Sequence, residues 1–274
     1  MVEQRALAFA CGDAWLYGVA HVPAQPRRRG VLVVVGGPQY RAGSHRQFTL
    51  LARDLAAHGT PAMRFDYRGM GDSEGAMRNF EDVGDDLRAA IDTFFEQVPA
   101  MQEVVLWGLC DAASAAVLYA QGDARVTGLV LVNPWVRTDA GAAKATIKHY
   151  YRARLLEGAF WRKIVSGRFD VRAAARSFLG LLGATRAAAP SDALPERMHA
   201  ALAKFGGKAL VVLSGADLTA REFEDLTGTA PAWRTLMASA RITRRPLPKA
   251  DHTCSRGEWH AQLAEWTRHW VQAD

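Results

Sequence analysis

A chain of 274 residues, 49% hydrophobic and 23% charged, carries enough apolar side chain to bury one large core, which excludes a disordered protein. The formal charge of +6 raises a nucleic-acid partner, but no binding motif accompanies the charge, and none is expected. No apolar run approaches the roughly 20 residues that span a bilayer, and the first residues lack the basic and apolar pattern of a signal peptide, so the expected compartment is the cytoplasm.

In chain order, Arg5 to His21 alternates enough to predict a two-stranded ribbon that ends at the polar turn PAQPRRRG. VLVVVGG, Val31 to Gly37, is a continuous apolar run ending in glycines, the pattern of a strand buried on both faces of a parallel sheet. After the loop PQYRAGSH, Phe48, Leu51, Ala52 and Leu55 fall at helical spacing, and Gly59 stops the helix. PAMRFDYRG and FEDVGDDLRAAIDTFFEQV repeat that strand and helix. VVLWG leads into an alanine-rich helix, and a further strand runs from Gly128 to Val132. Strands alternating with helices predict an α/β fold, a mostly parallel central sheet flanked by helices.

The alternation stops at Arg137 and resumes after Phe205. Residues 137–205 hold thirteen Lys or Arg against five acids, so the excess positive charge belongs to this segment, which reads as a helical insert in a core of residues 1–136 and 206–274. The sheet pattern returns in KALVVLSGADLTA, Lys208 to Ala220. It is followed by a helix near PAWRTLMASA, a short strand ITRRPL, the loop PKADHTCSRG and a closing helix EWHAQLAEWTRHWVQ.

Three cysteines, Cys11, Cys110 and Cys254, form no CxxC pair and no metal-ligand spacing, so neither a disulfide framework nor a metal is expected, and no cofactor. Cys11 reads as a buried thiol. Cys110 stands where a strand becomes a helix, with Gly108 two residues before it and Ala112 two after. That is the spacing of a nucleophile elbow, in which small neighbours let the backbone turn sharply and the helix N-terminus favours a thiolate. A nucleophile needs a base and an acid in the order nucleophile, acid, histidine. Asp217 follows the strand ALVVLSG and His252 lies in the loop before the last helix; Glu222, Glu224 or Asp225 are alternative acids. The oxyanion donors are expected to be the backbone amides of Asp111 and Gly37, since Pro38 has no N–H. Tyr40 and His45, in the loop after the first sheet strand, are the expected substrate contacts. Cys254, two residues after His252, reads as a bystander thiol, with a redox partner of Cys110 as the sharper alternative.

VGGP, FDYRGMGDSEG, GLCDAA, SGAD and ADHT, in that order, resemble the α/β-hydrolase superfamily over nearly the whole chain outside the insert. The resemblance implies an α/β-hydrolase fold with a helical cap insert, and mainly architectural roles for the aspartate and arginine of FDYRG. GGPQYRAGSHRQF, RFDYRGMGDSEG and GLCDAA together also resemble exosortase A system-associated hydrolases of the hydrolase 1 type, a bacterial family encoded beside exopolysaccharide and protein-sorting genes. Two residues depart from the superfamily pattern. Val35 stands where a histidine often precedes the oxyanion glycine, and cysteine replaces serine, as in dienelactone hydrolases. The implied activity is a carboxylesterase or thioesterase working through a Cys110–His252–Asp217 acyl-enzyme. An acyltransferase and a catalytically idle scaffold remain alternatives. A cap selects substrate, and HYYRARLLEGAFWRKI suits a small acyl or glycan substrate, an acyl carrier, or a peripheral contact with an anionic membrane surface.

Overall fold

The computed structural model describes residues 1–37, 39–136 and 193–273. The chain opens with an antiparallel ribbon, β1 (Val2–Cys11) and β2 (Ala14–Pro23). β3 (Arg29–Val34), α1 (Gln47–Ala57), β4 (Ala62–Asp66) and α2 (Gly84–Gln97) follow, then β5 (Glu103–Leu109), α3 (Asp111–Ala120) and β6 (Val126–Val132). After residue 192 come α4 (Leu194–Lys204), β7 (Lys208–Ser214), α5 (Leu218–Thr229), α6 (Pro231–Met237), β8 (Ile242–Leu247) and α7 (Gly257–Gln272). The eight strands form one sheet in the order β1-β2-β4-β3-β5-β6-β7-β8. β2 meets β4 antiparallel, and from β4 to β8 every pairing is parallel.

The two-residue period of a strand explains why VLVV is apolar throughout. Val31 and Val33 point to one face with Trp107, Val130 and Val132, where α1 and α7 supply Phe48, Leu55 and Leu263. Leu32 and Val34 point to the other with Leu106, Leu129 and Leu131, where α2 and α3 supply Ile91, Phe94, Ala116 and Val117. Both faces are covered, as a parallel sheet requires. β8 is an outermost strand and shows Arg244, Arg245 and Pro246 to solvent.

The helical segments read in HYYRARLLEGAFWRKIV and VRAAARSFLGLLG lie outside the described residues. The last part of the 137–205 segment is described, and it forms α4. Met198, Ala201, Leu202 and Phe205 share the core of the α2–α3 face, and Arg241 donates to the carbonyls of Leu202 and Phe205 at the end of α4. One helix was not anticipated from the sequence, α5 over LTAREFEDLTGT. It starts because the Asp217 carboxylate accepts from the amides of Thr219 at 3.2 Å and Ala220 at 3.1 Å, a helix N-cap.

The turn RFDYRGMGDSEG is held by two buried carboxylates. Asp66 accepts from the Arg41 amide at 2.5 Å and the Arg41 guanidinium, and from the Asp72 amide at 3.3 Å. Asp86 accepts from the Arg68 amide at 2.8 Å and from its guanidinium at 2.8 to 3.1 Å, with no exposed surface on Asp86. Removing one partner of such a pair strands the other charge. Asp86→Ala is therefore expected to lower the unfolding free energy by about 3–5 kcal/mol in urea titration. Ala at the neighbouring, exposed Asp85 should change it by less than about 0.5 kcal/mol.

Candidate active site

Parallel strands place their carboxyl ends side by side, so the loops after β3, β5, β6, β7 and β8 converge on one edge. Cys110 follows β5 with φ 63° and ψ −126°, a left-handed conformation rare for a residue with a Cβ. The surroundings hold it there. Its amide donates to the Val132 carbonyl at 2.9 Å, and its carbonyl accepts from Ala113 at 3.1 Å and Trp135 at 3.2 Å. A Cβ on Gly108 would lie 2.5 Å from the Ala112 backbone, so α3 can run this close to β5 only past a glycine.

His252 projects from the loop after β8. Its Nδ1 lies 2.9 Å from Asp217 Oδ2, where a carboxylate oxygen accepts the Nδ1 proton, so that Nε2 faces away from Asp217. The bond to Asp217, then the influence of the nearby Cys110 thiol, raise the His252 pKa from 6.5 to about 10 against the opposing effect of burial. The loops after β5, β7 and β8 carry Cys110, Asp217 and His252 on one edge of the sheet, with Asp217 and His252 bonded to each other. Asp217, and not the alternative acids, is the carboxylate bonded to the imidazole, while also capping α5.

A residue that the sequence reading passed over joins these loops. Asn133 follows β6 with φ 47° and no exposed surface. Its Nδ2 donates to Ser214 Oγ at 3.0 Å and to the His252 carbonyl at 3.1 Å, and its Oδ1 accepts from the Ser214 amide at 2.8 Å. The acid and histidine loops also bond directly, the Ala216 amide donating to the Ala250 carbonyl at 3.0 Å. The available signal was a lone polar residue between the apolar run VTGLVLV and Pro134.

The expected oxyanion amides adjoin the elbow. The Gly37 amide donates to Asp111 Oδ2 at 2.9 Å, and the Ala112 amide to Oδ1 at 3.0 Å. Burial raises the Asp111 pKa, opposed by the amides of Gly37, Ala112 and Asp111 itself and by His252. Val35, in the position often held by histidine, is buried in the α1–α7 face. Tyr40 is half exposed on the loop after β3. His45, in a 3-10 turn of that loop, has its ring 6.4 Å from that of His260 and acts electrostatically on Asp251, the neighbour of His252. All three cysteines are free. Cys254 is buried with its Sγ 4.0 Å from Ser214 Oγ, and burial pushes its pKa up to about 11. Among the described residues no group of acids, histidines and cysteines could hold a metal, and no helix is long and apolar enough to cross a membrane.

An eight-stranded, mostly parallel sheet with helices on both faces, carrying an elbow after β5, is the α/β-hydrolase fold. The chain belongs to the serine aminopeptidase S33 family, whose model matches residues 26–176, more than half its length. The chain is similar in structure to the esterase Pf2001 of Pyrococcus furiosus (TM-score 0.66, 15% identity, 98% of this chain and 94% of that one). It is also similar to the α/β serine hydrolase XC6422 of Xanthomonas campestris, described as lidless (0.60, 18%, 99% and 97%). A third similar structure is a dienelactone hydrolase of Anabaena variabilis (0.62, 15%, 98% and 96%). No curated protein matches the chain.

The raised His252 pKa has a definite sign for stability. A group whose pKa rises on folding contributes stability that is complete below its unfolded value of 6.5 and is lost as pH rises through about 10. The melting-temperature advantage of the native protein over His252→Gln is expected to shrink steadily between those two pH values in a scanning-calorimetry series.

Proposed function

We propose that the chain is a hydrolase of ester or thioester bonds that works through a cysteinyl acyl-enzyme. The observation that carries this reading is the His252 imidazole, bonded to Asp217 and near enough to Cys110 for the thiol to act on its pKa, with Cys110 held in the left-handed conformation of an elbow. His252 takes the Cys110 proton as the sulfur attacks the acyl carbon. The carbonyl oxygen becomes an oxyanion, and collapse expels the alcohol or thiol, which takes the proton from His252. Water then attacks the thioester, its proton passing to His252, and collapse releases the acid while His252 returns that proton to the Cys110 sulfur. Asp217 fixes the imidazole tautomer and stabilises its charge throughout.

Esterase and hydrolase names among the similar structures support an ester-class substrate. The loop wording GGPQYRAGSHRQF, with FDYRGMGDSEG and GLCDAA, supports a place beside bacterial exosortase and exopolysaccharide systems. Tyr40 and His45 would contact the substrate from the loop after β3, and the basic segment 137–205 would favour an acidic substrate or an anionic lipid surface. A second reading, acyl transfer to an acceptor other than water, rests on the cysteine. A thioester is a better acyl donor than the oxygen ester a serine would form.

Cys110→Ala is expected to abolish turnover of short p-nitrophenyl esters and acyl thioesters with the circular-dichroism spectrum unchanged. Asp217→Asn should lower kcat by about 10⁴. Intact-mass spectrometry after incubation with acyl donors should show one acyl adduct, absent from Cys110→Ala. Turnover that survives Cys110→Ala would sink the assignment. Interception by added alcohols or amines faster than by water would select the transferase.

A further inference from the structure

One of the amides expected to receive the oxyanion already faces an anion. The Asp111 carboxylate takes the Gly37 N–H at 2.9 Å and the neighbouring Ala112 N–H at 3.0 Å. The loop after β3 is shaped around it, since a Cβ on Gly36 would lie 2.2 Å from Asp111 Oδ1. A substrate oxyanion bound by the Gly37 amide would form beside this carboxylate, and two like charges in one buried site repel.

We infer that Asp111 is a gate of the oxyanion hole, an internal anion seated on the Gly37 amide that has to be neutralised or displaced before an acyl oxyanion can use that donor. The inference rests on the Cys110 acyl-enzyme reading. Asp111 acts through the amide it occupies and is a positioning residue. The titratable groups facing it are the Cys110 thiol on the same elbow, His252 from the loop after β8, and Tyr67 from the loop after β4. Protonation of Asp111 removes the competing charge, so the gate weakens as pH falls. Burial, which favours the neutral acid, raises the pH at which that change begins.

The test separates the gate from the nucleophile by using two reagents on the full-length protein, its Asp111→Asn and Asp111→Ala variants, and Cys110→Ala. Iodoacetamide alkylates a thiolate without forming an oxyanion; an acyl thioester forms one. Both reactions are followed at Cys110 by intact mass from pH 5 to 9. The expected result is that Asp111→Asn, which keeps the shape and loses the charge, acylates about tenfold faster than the native protein at neutral pH. Its ratio to the native rate should fall toward 1 at the acid end, with alkylation rates matched. Asp111→Ala should show the same trend, and if it does not fold, Asp111→Asn decides alone. Acylation that is equal or slower in Asp111→Asn, or a pH-independent ratio, with alkylation unchanged, overturns the gate and leaves the nucleophile standing. Native alkylation no faster than in Cys110→Ala overturns the nucleophile, and the gate with it.

Discussion

The backbone of Cys110 is the constraint on which the rest of the site depends. A side-chain-bearing residue at φ 63° is strained by its own Cβ and persists only where neighbouring structure over-determines it. Three features do so here: the Cys110 amide bonded to β6, the Trp135 amide bonded to the Cys110 carbonyl, and the absence of a side chain on Gly108, which lets α3 approach β5. The same turn that strains the residue lifts its sulfur out of the sheet and aims the first amides of α3 at the reacting centre. Sequence, strain and chemistry meet at this one φ angle.

Around this fixed point the other groups arrive on loops, and bonds between the loops convert them into a rigid frame. Asn133 ties the end of β6 to Ser214 and to the carbonyl of His252, so the histidine is located from its backbone as well as from its ring. Asp217 serves two demands at once. Its carboxylate caps α5 and bonds the His252 imidazole. The site carries two carboxylates in different settings, Asp217 against the imidazole and Asp111 against the amides of Gly37 and Ala112.

Much of this was legible in the residues. Continuous apolar runs such as VLVVV and LVVL can be satisfied only by a sheet covered on both faces, and the loops after such strands share one edge. Their positions after strands of one parallel sheet place Cys110, Asp217 and His252 on that shared edge. What the sequence hid was set by tertiary geometry. The helix α5 begins on an aspartate already given another purpose, and the mixed run TAREFEDLTGT gives it a weak stripe. Asn133 looks like any residue before a proline until the loops after β7 and β8 are seen to cross it. The Asp111 side chain reaches back to Gly37 across the sheet edge, a contact between residues 74 apart in sequence that no local pattern encodes. α4, ahead of Phe205, packs into the core, which its sequence does not announce because a helix packed on α3 reads like any other amphipathic helix.

The outer strand β8 bears on how the protein keeps to itself. An open sheet ends in a row of unpaired backbone groups that can template the addition of strands from other chains, the first step of aggregation. On β8 that row is interrupted by Pro246, which has no N–H to offer, and bracketed by Arg244 and Arg245, whose charges would meet their own copies in any edge-to-edge pairing. The strand that leads directly into the histidine loop is thus also the one that lateral growth would have to capture, and its side chains oppose that capture where it would distort the site.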